Sequence, residues 1–336
     1  MRHEEVQISE RARSLYRSSL VWDMTVPYGV QAATDGVTLP RMRAAGFGLV
    51  SLTLSADGAL GPQEALASIA RVFAVCAQHP DRYRLAQGVE DIDRAQAANQ
   101  LAIVFNFQGT NALGGDARLI EVFYRLGVRH MLMAYNQKNL VGDGCAERTD
   151  AGLSRFGLAV VKEMNRVGML VDGAHCGYRT SMDMMEASTA PCIFSHCCAH
   201  AVHAHYRNIK DDQILRCAQT GGVVGVNGLG EFIDDIDAKS ASMFRHIDHI
   251  ASLAGPEHVG IGLDYVKDVD AFWQYVEDNQ NAWPENQGRR HRHTQFVQPE
   301  QLEEVAELMC RENYTEEQIR GILGGNFRRV AQQVWK

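Results

Sequence analysis

MLVDGAHCGYRTSMDMMEASTAPCIFSHCCAHAVHAHYRN, residues 169–208, contains two short apolar runs that each lead into a histidine. The runs and their histidines are Met169–Asp172 with His175 and Cys192–Phe194 with His196. Apolar residues at helical spacing over Tyr178–Ser188 separate them, which predicts a strand–helix–strand unit with an imidazole after each strand. In parallel α/β proteins, ligands bind at that end of the strands. Two such histidines suit a divalent ion such as zinc, although two unrelated loop residues would give the same pattern.

Short apolar runs of this kind recur along the chain and alternate with helical patterns. The eight runs are Ser19–Asp23, Gly48–Leu54, Ala102–Phe107, Val128–Ala134, Met169–Asp172, Cys192–Phe194, Gly222–Val226 and His258–Leu263. The alternation predicts parallel strands joined by crossover helices. Eight units match a closed (β/α)8 TIM barrel of the α/β class, with a doubly wound open sheet as the alternative.

The remainder of the chain favours one domain over residues 1–336. We find no internal repeat and no linker rich in proline, glycine or serine. A charged amphipathic N-terminus predicts a first helix, and the patterns over Gln301–Glu312 and Thr315–Trp335 predict C-terminal helices on the outside of the barrel.

Composition excludes several classes of protein. With 46% hydrophobic residues in 336, the chain is expected to be globular. Its net charge of −8 argues against general binding to nucleic acid or anionic membranes. No apolar run is long enough to span a bilayer, and the N-terminus lacks the apolar core of a secretion signal. We therefore expect a cytoplasmic protein whose 8 cysteines, none of them in a CxxC pair, are reduced thiols.

Polar side chains lie at the end of every predicted strand or directly after it. They are Asp23 and Thr25, Thr53 and Ser55, Gln108, Tyr135 and Asn136, His175, His196, Asn227, and Asp264. Any one of them alone would be interpreted as a solvated loop residue, but the full set predicts a shared pocket at one face of the barrel. Asp172, close to His175, is expected to orient that imidazole or to cap the strand.

Residues 267–296, after the last strand, form the least regular part of the sequence. They include Trp273, Trp283 and the basic run Arg289–His293. Loops on this face of a barrel build the active site, so we expect a lid or a subunit interface, with a solvated loop as the alternative. The basic run is too short and isolated to indicate nucleic-acid binding.

Aligned on these strand ends, the chain resembles the membrane (renal) dipeptidase family, peptidase family M19, over nearly its whole length. The segments that carry the resemblance are GLSRFGLAVVKEMNRVGMLVDGAHCG, FSHCCA, HYRNIKDDQI, TGGVVGVN, HVGIGLD and ILGGNFRRV. The resemblance implies a metal-dependent, amidohydrolase-like barrel that acts on dipeptides and forms a homodimer. The YNxxN sequence after the fourth strand resembles a bacterial branch of this family.

The resemblance also implies roles for individual residues. His175 and His196 match the two histidines that hold the family's second metal. Arg207 matches the arginine that receives the substrate carboxylate. Asp264 matches the aspartate that handles the proton of the metal-bound water. Tyr135 and Asn136 occupy the loop where many members place a histidine over the scissile carbonyl.

Two positions depart from the family pattern. Asp23-Met24-Thr25 stands where typical members have His-x-Asp, and Gln108 stands where they have a glutamate that bridges two metals. A neutral amide is a weak zinc ligand. We therefore expect one Zn²⁺ on His175 and His196, with zero or two ions as alternatives. Gln108, Asp23, Asp264 and water are the candidates for the remaining ligand positions.

The function predicted from these residues is metal-dependent hydrolysis of dipeptides or similar small N-acyl amino acid amides. Asp264 would be the general base, and Tyr135 or Asn136 would donate to the developing oxyanion. Arg207 and Asn227, with the same loop, would bind the substrate. A lyase or isomerase acting on a small carboxylate and a non-catalytic binding protein are the alternatives.

Overall fold

The computed structural model describes residues 6–58, 61–284 and 294–336. Parallel strands in this part of the chain form a closed barrel surrounded by helices, so the predicted (β/α)8 barrel is confirmed and the open sheet is wrong. The strands are β1 (Trp22–Val26), β2 (Leu49–Ala56), β3 (Tyr83–Leu85), β4 (Leu101–Gln108), β5 (Val128–Leu132), β6 (Leu170–Asp172), β7 (Cys192–Phe194), β8 (Val223–Val226) and β9 (Val259–Ile261). The ring closes where β2 pairs with β4 and where β1 pairs with β9.

β3 lies outside the ring and pairs with the first residues of β4. It was missed by the sequence analysis because Tyr83–Leu85 is only three residues long and includes an arginine, so it forms no apolar run.

The helices follow the strands in the order expected of crossover units. They are α1 (Glu10–Arg17), α2 (Gly29–Thr34), α3 (Thr38–Ala44), α4 (Pro62–Gln78), α5 (Val89–Ala97), α6 (Leu119–Arg125), α7 (Arg155–Val167), α8 (Tyr178–Ala187), α9 (Asp211–Gln219), α10 (Gly230–Ile233), α11 (Ser240–Ala254), α12 (Val269–Asp278), α13 (Leu302–Arg311), α14 (Glu316–Arg320) and α15 (Asn326–Val334). The helices of the described residues are all too short or too polar to span a bilayer.

The predicted continuous helix over Thr315–Trp335 is wrong, because a π-helical turn over Gly321–Gly325 separates α14 from α15. Gly324 has a non-helical backbone, and a Cβ there would lie 2.5 Å from the Leu20 carbonyl oxygen. The chain bends here so that α15 can approach the barrel.

Two apolar clusters hold the barrel together. The larger one joins the strands to the surrounding helices. The smaller one joins Trp22, Leu49, Leu170 and Ile193, from four different strands, to Phe327 of α15. Because side chains alternate along a strand, these residues share one face of the sheet, which we assign to the inside of the barrel.

β1 begins three residues later than predicted. Ser19 lies just after α1, and its hydroxyl donates to the Leu15 carbonyl oxygen. As a result, Asp23 and Thr25 lie within β1 and are fully buried, rather than in the loop that follows the strand.

The segment 267–296 contains α12 and ends its first described part at Pro284. Phe272 and Trp273 of α12 are buried against the core. The basic run Arg289–His293 lies outside the described residues, and the predicted lid or interface role of this segment stays a prediction.

Candidate functional site

The strand–helix–strand unit places His175 and His196 side by side after β6 and β7. Their Nε2 atoms are 2.9 Å apart, and both rings are buried. The Nδ1 atom of His196 faces the hydroxyls of Ser195 and Thr25 at 2.7 and 3.1 Å. The Nδ1 atom of His175 faces Oδ1 of Asn136 at 2.6 Å. Each imidazole is therefore held by contacts to its Nδ1 atom, and its Nε2 atom is directed at the other ring.

Both imidazoles are neutral near pH 7. Burial lowers the pKa of His175 well below its usual value, and the guanidinium of Arg207 and the neighbouring His196 lower it further. Burial likewise lowers the pKa of His196, again with a contribution from Arg207. Neutral imidazole is the form that binds a metal.

Arg207 lies behind this histidine pair. It is 2% exposed. Its Nη2 donates to the His196 carbonyl oxygen at 3.0 Å, its Nη1 to the Cys197 sulfur at 3.3 Å, and its Nε approaches His175 Nδ1 at 3.1 Å. Arg207 and His175 also line a polar cavity of about 200 Å³. A substrate carboxylate would meet the guanidinium from that cavity.

Asp264 and Asn227 follow β9 and β8. The Asn227 side-chain amide donates to Oδ2 of Asp264 at 3.2 Å. Burial raises the pKa of Asp264 to about 7, although Arg207 and the hydrogen bond from Asn227 oppose the shift. A carboxyl group with this pKa can take up and release a proton at neutral pH.

Three site residues have left-handed backbone conformations. The φ angles are 56° at Asn136, 61° at His175 and 57° at Asp264. Such conformations are unfavourable for residues other than glycine, and they are concentrated at functional sites. Here they occur where the chain leaves β5, β6 and β9, and they turn the side chains toward the site.

Tyr135 and Asn136 both contact His175. The Tyr135 ring stacks on the imidazole with centroids 4.1 Å apart. The Asn136 amide nitrogen donates to the Ala282 carbonyl oxygen at 3.0 Å, so its oxygen is the atom that faces His175. In this arrangement Asn136 holds an imidazole and does not offer its amide to an oxyanion, which leaves Tyr135 as the candidate donor.

A larger cavity of about 560 Å³ adjoins these residues. The described residues place Gln108, Tyr135 and Asp264 in its wall. Four further aromatic side chains line it: Tyr28, Phe272, Tyr275 and Trp283. Gln108 donates to the Thr53 hydroxyl at 3.2 Å, so its amide is held at the cavity wall.

Asp23 is held by backbone hydrogen bonds. Its Oδ1 accepts from the backbone N–H groups of Thr25 and Leu263, while its Oδ2 is buried without a hydrogen-bond partner. Burial raises its pKa to about 8, so it is a neutral carboxylic acid at pH 7. Within the described residues, no group of three His, Cys, Asp or Glu side chains could hold a metal ion.

The histidine pair therefore fits part of the ligand shell of one ion, and the number of ions stays a prediction. Two buried neutral imidazoles with converging Nε2 atoms can supply half of a tetrahedral zinc shell, with water or substrate as the remaining ligands. At the first metal position of the family, burial raises the pKa of Asp23 to about 8 and the Thr25 hydroxyl contacts His196.

The model of the membrane dipeptidase family (peptidase family M19) matches residues 23–283. The chain belongs to this family. An uncharacterised dipeptidase of Schizosaccharomyces pombe is 33% identical over 251 residues, which cover 70% of this chain and 53% of that protein. A second uncharacterised dipeptidase of the same yeast is 36% identical over 185 residues, 54% of this chain and 45% of its own length. The chain thus spans about half the length of these curated relatives.

Solved structures of similar shape align with this chain over the whole barrel. An amidohydrolase from Pseudomonas aeruginosa has a TM-score of 0.84 and 28% identity, covering 96% of this chain and 99% of that one. A metallo peptidase from Rhodobacter sphaeroides, liganded with a phosphinate mimic of the dipeptide L-Ala-D-Ala, has a TM-score of 0.78 and 19% identity. It covers 95% of this chain and 100% of its own, and at this identity it supports the fold alone.

In this member of the membrane dipeptidase family, hydrogen bonds accommodate the two departures noted in the sequence. Thr25 contacts His196, as described above. Gln108 donates to Thr53, whose hydroxyl in turn donates to Oδ1 of Asn106 at 2.9 Å. Of the two alternatives for Asp172, the strand cap is the one observed: its carboxylate accepts from the Ala174 N–H at 3.0 Å and bonds to His130 Nδ1 at 2.9 Å rather than to His175.

Sequence reasoning missed the buried polar network behind the site. Its members are Ser51, Asn106, His130, Asp172 and Ser195. Ser51 bonds to His130 Nε2 at 2.8 Å, and Asp172 accepts from the Ser195 backbone N–H at 3.0 Å. The sequence does contain one sign of this network, namely polar residues at alternating positions inside otherwise apolar strands.

Proposed function

We propose that this chain hydrolyses small amides, namely dipeptides or similar N-acyl amino acids, with Asp264 as its general base. The observation that carries the proposal is the half-buried Asp264 carboxyl, which has a pKa of about 7 and lies in the wall of a large cavity. General-base catalysis is most efficient when the pKa of the base lies near the working pH. Membership of the membrane dipeptidase family supports the choice of an amide bond as the target.

Asp264 would accept the proton of the attacking water and pass it to the leaving amine. Asn227 holds one carboxylate oxygen by its amide and leaves the other available. Tyr135, neutral because burial raises the pKa of its phenol, would donate to the developing oxyanion. Loss of a single oxyanion donor costs about 10²–10³ in kcat in a well-studied protease.

Arg207 would bind the substrate carboxylate. Two of its N–H groups donate to Cys197 and to the His196 carbonyl oxygen, and its Nε lies 3.1 Å from His175 Nδ1. A guanidinium has five N–H groups, so the others are the donors a carboxylate would use.

His175 and His196 would hold one divalent ion, and we propose zinc. Such an ion would supply Lewis-acid polarisation of the scissile carbonyl. The protein's own contribution is to keep both imidazoles neutral and oriented, through burial and the contacts to their Nδ1 atoms.

The test compares Asp264→Asn with the wild type on a panel of dipeptides and N-acyl amino acids. Substitution of a general base should lower kcat/KM about 10²–10⁴-fold. His249→Ala is the matched control, because His249 contacts Asp211 and not the site. Elemental mass spectrometry should find about one zinc per chain, lost in His175→Ala. Unchanged hydrolysis in Asp264→Asn would refute the assignment, and absence of turnover in the wild type would favour a binding protein.

A further inference from the structure

The Asp57 network joins three strand ends beside the site. Asp57 follows β2, and its Oδ1 accepts from the backbone N–H groups of Thr110 and Asn111 at 2.9 and 3.0 Å. Its Oδ2 accepts from the Tyr135 N–H at 3.0 Å and from the Asn139 side-chain amide at 2.7 Å. One half-buried carboxylate thus connects the residues that follow β2, β4 and β5.

Asn139 completes the Asp57 network and explains the second asparagine of the YNxxN sequence. Its amide nitrogen also lies 2.8 Å from the Met133 carbonyl oxygen and 2.9 Å from the Thr110 hydroxyl, so its two N–H groups are shared among three acceptors. Its oxygen accepts from the N–H groups of Val141 and Gly142 at 2.7 and 3.1 Å. The loop between Tyr135 and Asn139 is therefore held at both ends.

Two glycines provide the space that this arrangement needs. Gly109 has a φ of 134°, and a Cβ there would overlap the Asp57 carboxylate. A Cβ on Gly144 would overlap the Asn136 backbone. A larger residue at either position would displace the loop. The close contacts of this loop therefore depend on glycines in two separate parts of the chain.

The loop held in this way presents two groups to His175. Asn136 has a left-handed backbone, and the Gln137 N–H donates to the Tyr135 carbonyl oxygen at 2.5 Å in a tight turn. The turn places the Asn136 oxygen 2.6 Å from His175 Nδ1 and the Tyr135 ring on the imidazole. A carbonyl oxygen only accepts, so this contact requires a proton on Nδ1 and leaves Nε2 with a lone pair.

Arg207 competes for the same nitrogen. Its Nε–H lies 3.1 Å from His175 Nδ1 and only donates, so a hydrogen bond from Arg207 would require the proton on Nε2 instead. The position of Asn136 therefore decides which His175 nitrogen carries the proton.

We infer that Asp57 is a positioning residue that, through the loop 135–139, selects the Nδ1–H tautomer of His175. Asp57 does not touch His175, and it acts by holding Tyr135 and Asn139 on either side of Asn136. With Asp57 intact, Nε2 of His175 is available as an acceptor or ligand toward His196. Without it, Asn136 moves away, Arg207 donates to Nδ1, and the proton shifts to Nε2. The inference rests on the proposed function only for its kinetic readout.

The direct test is the ¹⁵N spectrum of the histidines in metal-free wild-type, Asp57→Asn and Asn139→Ala protein, assigned with His175→Gln, because a metal bound to Nε2 would itself fix the tautomer. The wild type should show His175 protonated on Nδ1, and both variants should shift the proton toward Nε2. Asp116→Asn is the matched control. Asp116, like Asp57, is a carboxylate in a loop that follows a strand, but it lies after β4 and contacts Arg118. Two variants are used because Asp57→Asn could reduce folding, whereas Asn139→Ala leaves the carboxylate in place.

A double-variant comparison separates this mechanism from general destabilisation. If Asp57 acts through Asn136, then Asp57→Asn should change the His175 spectrum little in an Asn136→Ala background. Loss of an outer contact to a ligand histidine lowers activity about 10–100-fold, and we expect that fall in kcat with a smaller change in KM. An unchanged His175 tautomer in both folded single variants would overturn the inference. Absence of hydrolysis in the wild type would refute the proposed function and leave the tautomer result standing.

Discussion

The carboxyl group of Asp23 is buried and bonded to the backbone at a position that the family usually uses for a metal ligand. It stands where typical members of the membrane dipeptidase family have a metal-binding histidine, yet it is fully buried and neutral at pH 7. One oxygen accepts two backbone N–H groups that connect β1 to the end of β9, and the other has no partner. Asp23 therefore links β1 to the end of β9 through backbone hydrogen bonds.

Burial of Asp23 makes the stability of the protein depend on pH. Its folded-state pKa of about 8 lies above the ordinary 3.8, so the folded protein binds the extra proton. This contribution to stability is fully present below the ordinary value and is lost as the pH rises to about 8, with a slope of at most about 1.4 kcal/mol per pH unit. Asp23→Asn should remove that slope.

Urea denaturation at pH 5 and pH 8 measures the effect. The free energy of unfolding of the wild type should fall between the two pH values by more than that of Asp23→Asn. Asp81→Asn, at an exposed carboxylate paired with Arg82, is the control and should behave like the wild type. Equal pH dependence in Asp23→Asn and the wild type would show that Asp23 is ionised in the folded protein.

At the scale of elements, the barrel depends on close contact between strands β8 and β9 and helix α15. Gly260 of β9 packs directly on the Phe327 ring, and a Cβ at that position would overlap it. Gly225 of β8 lies as closely against the Ser195 carbonyl oxygen, which precedes His196. These glycines allow the end of the barrel to be filled by one aromatic side chain.

Gly260→Ala should therefore destabilise the protein, by about 1–3 kcal/mol if the core is overpacked to the usual extent. Chemical denaturation measures the loss, and the double variant Gly260→Ala/Phe327→Leu should recover part of it because leucine leaves room for the new methyl group. The single variant Phe327→Leu is the control for the lost aromatic packing. Strictly additive effects of the two substitutions would contradict direct overlap.

At the scale of the whole molecule, the larger cavity combines side chains from distant segments. Tyr28 precedes α2, while Tyr275 and Trp283 come from the region after β9. Tyr28 and Tyr275 contact each other edge-on with centroids 6.3 Å apart. No Lys, Arg or His lines the part of this cavity formed by described residues. Under the proposed function, in which Arg207 binds the substrate carboxylate from the other cavity, such a lining favours a large apolar group on the amine side of the substrate.

Dipeptides with an N-terminal phenylalanine should therefore be cleaved with higher kcat/KM than those with an N-terminal glycine. Burial of an apolar side chain of this size contributes about 1.5–3 kcal/mol, or roughly 10–150-fold. Tyr275→Ala should reduce the preference by lowering kcat/KM for the phenylalanine substrate only. Leu140→Ala, at a side chain 65% exposed outside this cavity, is the control. Equal loss for both substrates would assign Tyr275 to folding and not to specificity.

The sequence by itself determined the barrel and the position of the histidine pair. Apolar runs such as Cys192–Phe194 occupy the observed strand β7, and each histidine follows its strand as predicted. Such patterns are local, because the apolar period and the strand end depend on a few neighbouring residues. The homodimer, the cytoplasmic location and the metal number stay predictions.

Only the tertiary structure decided which side chains meet. The contact of Asp172 with His130, the protonation of Asp23 and the Asp57 network each join residues that are more than 40 positions apart or depend on full burial. A single sequence does not encode such distances in any local pattern. They arise when the barrel closes, because closure brings eight strand ends together and excludes water from the groups between them.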